Sequence, residues 1–306
     1  MLSSFFSKSK PINYIAVALY MGILFGIAHY RKGFETESSH VLLTAASVFL
    51  YILPMLALNF VAQKNDLTNK GTFTILLYAF LTAILPNSLT SFPILLSNVF
   101  VLLAVQNILH LRNEKQIKAK IFNASIFIGL ASLAYFWSIG FIILVFLGIL
   151  FFDPKNYRNW IIPFIGVSMI YVFANCFTLL FYDSFFAIVT YIDPISFSFQ
   201  TYFIKEHLFS VGIISICIVF FFSIYLIKFG RKTANTKPIL RVVIIYLIVA
   251  IVVAAIAPKK DTSELFFIAT PLSLIGTTYL EMNYHQFAKE INIWVFILIP
   301  FTILLF

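Results

Sequence analysis

Residues 11–63 read "PINYIAVALYMGILFGIAHYRKGFETESSHVLLTAASVFLYILPMLALNFVAQ": two long apolar runs around one polar loop. A helix needs about 20 apolar residues to cross the roughly 30 Å hydrocarbon core of a bilayer, and both runs meet that length. The same alternation continues along all 306 residues, of which 61% are hydrophobic and 11% charged. A soluble domain carries about a quarter charged residues. A membrane β-barrel would show short strands of alternating polarity instead, and the runs here are continuous.

The pattern predicts an all-α, polytopic integral membrane protein. It forms a single transmembrane domain over residues 1–306, with no soluble domain and about eleven transmembrane helices. Their expected limits are 12–29, 41–62, 72–86, 93–111, 121–136, 139–152, 160–181, 211–228, 242–257, 265–280 and 291–306. Two of the breaks rest on local chemistry: "PNSLTSFP" (86–93) has two prolines around small polar residues, and "FWSIG" (136–140) divides a run too long for one span. The first run follows two lysines, as in a signal peptide, but it is long for one and no small-x-small site follows, so an uncleaved first span is expected.

Lys and Arg divide unevenly between alternate connections. With the N-terminus in the cytoplasm, sixteen fall on that side and five outside: Arg31, Lys32, Lys205, Lys259 and Lys260. This split predicts a cytoplasmic N-terminus. It also accounts for the net charge of +9 without nucleic acid as a partner. Cys176 and Cys217 both lie inside apolar runs, where a disulfide framework is not expected. The long connection 182–210 is rich in aromatic residues and suits a segment lying at the interface, or a re-entrant lid over a cavity.

Seven carboxylates are expected outside: Glu35, Glu37, Asp183, Asp193, Glu206, Asp261 and Glu264. Glu35 and Glu37 are two apart, so they share a side in an extended loop and diverge in a helix. In a partly desolvated outer cavity such a carboxylate becomes a general base for a hydroxyl acceptor; fully wet, it merely solvates the loop. His40 borders the same loop. The second stretch, "AIAPKKDTSELFFIATPLSLIGTTYLE" (255–281), sets Lys259, Lys260 and Asp261 before an apolar run containing Pro271. Lysine ammonium groups there make a seat for a lipid phosphate, or they snorkel to the interface.

The order of these elements resembles the polyprenyl-phosphate-sugar-dependent integral membrane glycosyltransferases of the GT-C fold. The resemblance rests on the acidic first outer loop, the tight turns at 87–92 and 137–139, and the late "PKKDTSELFFIATPLSL". It implies Glu35 or Glu37 as catalytic base and Lys259 and Lys260 as phosphate contacts; Arg31, Lys32, His40 and Asp261, which border these stretches, are the further candidate substrate-binding residues. It further implies membrane lipid and a polyprenyl-phosphate-linked sugar as partners. The chain departs from that pattern in lacking a soluble outer domain and in splitting the usual adjacent acidic pair with Thr36. The opening "FFSKSKPINYIAV" and the general layout also resemble an uncharacterised multi-pass family of Bacteroidota.

The five histidines show no paired metal-ligand spacing, so no metal site is expected and no cofactor is identified. A divalent cation is compatible with the acidic loop but required by nothing visible. The spans hold few ionisable groups, which disfavours a pump with a buried proton relay. The leading expectation is a glycosyltransferase-like inner-membrane enzyme. The alternatives are a non-catalytic subunit or scaffold with membrane-protein partners in an envelope complex, and a transporter of a lipid-linked substrate, which should show related halves.

Overall fold

The computed structural model describes residues 2–33, 38–69, 71–186, 192–231, 236–282 and 284–305. These form a helical bundle: α1 (Leu2–Phe6), α2 (Pro11–Lys32), α3 (Ser38–Lys64), α4 (Phe73–Ala83), α5 (Pro86–Leu89), α6 (Phe92–Leu109) and α7 (Ile117–Ala134) come first. Then follow α8 (Ile142–Phe152), α9 (Ile162–Tyr182), α10 (Lys205–Phe229), α11 (Lys237–Ile256), α12 (Phe266–Leu280) and α13 (Gln286–Leu305). No strand occurs among the described residues. Proline sits in the first turn of α2, α5, α6, α9 and α11, where its missing N–H would have had no helical partner anyway.

Each predicted segment coincides with a helix, but only eight helical segments among the described residues are long and apolar enough to cross a membrane. α4 has 11 residues, α8 has 11 and α12 has 15. At about 1.5 Å per residue none reaches the roughly 30 Å required. Such short helices survive at membrane depth only where protein surrounds them. Accordingly every residue of α4 is buried, as are thirteen of the fifteen in α12.

α4 and α12 lie against each other at the centre, with α2, α3, α10, α11 and α13 around them. Polar contacts tie this core together: Thr277 Oγ1 to Thr74 Oγ1 at 3.2 Å, Thr270 Oγ1 to Asn98 Oδ1 at 3.0 Å, and Tyr51 with Thr82 at 3.0 Å. Without water to compete, hydrogen bonds of this kind hold apolar helices in register. α9 stands at the rim. It buries only Pro163, Gly166 and Ile170, one stripe of the helix, against α7. A Cβ at Gly166 would come within 2.6 Å of Ser125 Cβ, so the absence of a side chain sets this close approach.

α13 runs parallel to α2, as three contacts along its length show. Leu2 N and Ser3 N donate to Glu290 at 2.9 and 3.0 Å, Tyr20 donates to Ile297 O at 3.0 Å, and Arg31 donates to Leu304 O at 3.0 Å. One end of the bundle gathers the α4–α6, α7–α8, α9–α10 and α11–α12 connections. The opposite end, here the basic end, holds the Asp66–Arg112 ion pair and the bond from Asn69 N to Glu281.

Candidate functional site

The polar groups of the first end converge on the connection between α11 and α12. Pro258 and the apolar start of α12 confine residues 257–265 to a short path, and Thr262 takes a left-handed φ of 72°. Asp261 Oδ1 accepts from Ser263 N at 3.2 Å and from Ser263 Oγ at 2.5 Å, closing a local turn. This turn leads into Ser263–Leu265 and leaves Glu264 only 1% exposed.

Glu264 Oε1 accepts a hydrogen bond from the Tyr202 hydroxyl, while Oε2 has no partner among the described residues. Burial raises the carboxyl from an ordinary 4.5 to about 7; the Tyr202 bond opposes the rise and the nearby Asp261 adds to it. The same burial, together with the Glu264 charge, pushes the Tyr202 phenol well above its ordinary value. Tyr135, at the end of α7, is shifted upward for the same two reasons.

Tyr202 belongs to a strap, residues 192–204, that lies across this end in irregular backbone ending in the turn Gln200–Phe203. Four further contacts fasten it. Thr201 Oγ1 donates to Lys260 O at 2.5 Å, His207 Nδ1 lies 3.1 Å from Thr201 O, and Asn87 Nδ2 lies 3.1 Å from His207 Nε2 while donating to Asp261 O at 2.6 Å. With a proton on Nδ1, the His207 ring donates to Thr201 O and its Nε2 accepts from Asn87 Nδ2. The outward side of the strap is apolar, with Phe197 and Phe203 exposed.

The predicted site residues fall into three groups. Glu35 and Glu37 lie outside the described residues. Lys260 and Asp261 stand beside Glu264. Lys260 is buried, with Nζ donating to Ala254 O at 2.6 Å and Ala255 O at 2.7 Å, over the ring of Phe199. It thus caps the C-terminus of α11, where the carbonyls lack helical donors and the helix dipole favours a cation. Burial lowers its pKa, an effect that Glu264 partly offsets. Arg31 does the same for α13, bonding Ile303 O and Leu304 O, so two of the five cations predicted outside serve helix ends. Lys32, His40 and Lys259 are exposed.

Glu264 is one of the seven carboxylates expected outside, and no motif in the sequence singles out Tyr202, Asn87 or His207. One signal marked Glu264: it directly abuts the apolar run "LFFIA", so a helix packed centrally would drag it inward. Among the described residues no three His, Cys, Asp or Glu side chains form a metal-binding group.

A family model covers residues 1–306 from end to end. The chain belongs to DUF6427, a family of unknown function. No curated protein and no solved structure matches this DUF6427 chain.

Proposed function

We propose that the protein is a membrane-embedded transferase of the GT-C type, moving a sugar from a polyprenyl-phosphate donor to an acceptor hydroxyl at the strap end. The observation that supports this is Glu264: a buried carboxyl with one free oxygen, poised near neutral pH at the mouth of an apolar bundle. A base with a pKa near the working pH contributes a factor of about 10² to 10⁴ in rate. Oε2 takes the proton of the acceptor hydroxyl as its oxygen attacks the anomeric carbon. The bond from that carbon to the phosphate oxygen breaks, and the polyprenyl phosphate leaves with the electron pair. Lys259 and Lys32 are exposed and can meet a lipid phosphate. The strap, apolar outside and pinned inside, must lift for substrate to reach Glu264.

Glu35 and Glu37 are the competing candidates for the base. The test compares E264Q with E35Q/E37Q by glycoconjugate profile in cells that depend on the protein. Loss in E264Q with normal protein abundance supports Glu264, and loss in E35Q/E37Q alone transfers the role to the first loop. Unchanged profiles in both sink the enzyme and favour the second reading, a non-catalytic membrane component. Lys260 is the observation behind that reading, because its ammonium is committed to holding α11.

A further inference from the structure

The basic end carries a second polar site, unrelated to Glu264. We infer that it seats one glycerophospholipid whose head group bears both a phosphate and a primary ammonium, held between the start of α7 and the α8–α9 connection. Two adjoining cavities of about 360 and 570 Å³ share Lys118, Asp153 and Asn156 as lining.

The phosphate half of the seat comes from α7. Gln116, in a left-handed conformation with φ 52°, supplies no side-chain cap, and the first turn holds Lys118 and Lys120 without an acidic residue. Unpaired N–H groups and the positive helix end therefore face the cavity, and both favour an anion. Lys155 and Arg158 line the same space. Three cations, Lys118, Lys155 and Arg158, thus share the seat with the carboxylates of Asp153 and Glu114, while Lys120 is held by His110 O at 2.7 Å.

The ammonium half comes from Asp153 and Asn159. Asn159 is wholly buried and lines the larger cavity. Its Nδ2 donates to Asp153 Oδ2 at 2.7 Å, which leaves Oδ1 without a partner among the described residues. A buried acceptor left unmade is costly, and a ligand N–H removes the cost. Inorganic phosphate would satisfy the cations but leave Asn159 orphaned and face the Asp153 charge. A zwitterion satisfies both halves.

The hydrocarbon surface beside the seat argues for a lipid. Tyr157 and Ile161 just before α9, and Phe164 and Ile165 in its first turn, are exposed, giving acyl chains an apolar wall that begins at the cavity rim. Aromatic rings such as Tyr157 and Trp160 mark the level of the head groups. A trimethylated ammonium cannot donate a hydrogen bond to Asn159, so an ethanolamine head group is favoured over choline.

Full-length protein in detergent is titrated with phosphatidylethanolamine, phosphatidylcholine and phosphatidylglycerol and read by native mass spectrometry. The expected result is about tenfold preference for phosphatidylethanolamine over phosphatidylcholine, lost in K118A/R158A. D153N should lower the ethanolamine-to-glycerol lipid ratio severalfold without reducing phosphatidylglycerol binding. Thermal unfolding of each variant confirms folding, and K155A replaces any variant that fails. Equal binding of ethanolamine and choline lipids overturns the proposal, as does an unchanged ratio in D153N. Displacement by millimolar glycerophosphoethanolamine as effective as by whole lipid overturns the lipid assignment.

Discussion

The burial of Glu264 makes stability depend on pH in a way that one substitution removes. The carboxyl ordinarily titrates near 4.5 and in the folded protein near 7. At about 1.4 kcal/mol per pH unit of displacement this amounts to about 3 kcal/mol. Because the folded value is the higher, the folded state binds the proton more tightly than the unfolded one. Stability is therefore highest below pH 4.5, falls as pH rises to 7, and stays low above that. E264Q keeps an acceptor for Tyr202 but cannot ionise. Its amide donor lands where Oε2 has no partner, at a cost of about 1–3 kcal/mol that does not vary with pH. The informative quantity is thus the change between pH 4.5 and 8, measured by thermal unfolding in detergent for both proteins. The parent should lose about 3 kcal/mol relative to E264Q across that interval. Parallel curves would mean that water reaches Glu264, and the buried-base argument would fail.

Two further outcomes follow from packing and capping. K260M strips a donor from Ala254 O and Ala255 O and should cost about 2 kcal/mol, whereas K259M, at an exposed position, should stay within about 0.5 kcal/mol in the same assay. G166A places a Cβ 2.6 Å from Ser125 Cβ and 3.3 Å from Phe122 O, so α9 must move away from α7. The expected loss is about 1–3 kcal/mol, with weaker crosslinking between the two helices. G22A meets nothing within 4 Å and serves as the control.

The helices were legible because apolar runs and first-turn prolines report on the backbone directly. Which of them face lipid was not, since Leu and Phe read alike whether their neighbour is an acyl chain or another helix. That is why the burial of α4 and α12 could not be read from their composition. The lysine pair shows the same limit at the site. Lys260 lies four residues beyond the end of α11 and folds back onto its carbonyls, while Lys259 faces out. Glu264 escaped because what buries it, Tyr202, is 62 residues earlier in the chain. No local pattern encodes that meeting.

The pairing of α2 with α13 bears on how the protein is made. Ser3, in α1 just ahead of α2, and Glu290, in α13, are 287 positions apart, so the helix made earlier waits for α13 before its partner arrives. Until then α4, which has no lipid-facing side in the finished bundle, lacks one of its walls. Membrane insertion and bundle closure are separate events in this chain, and a stalled or shortened product would expose its polar core to the bilayer.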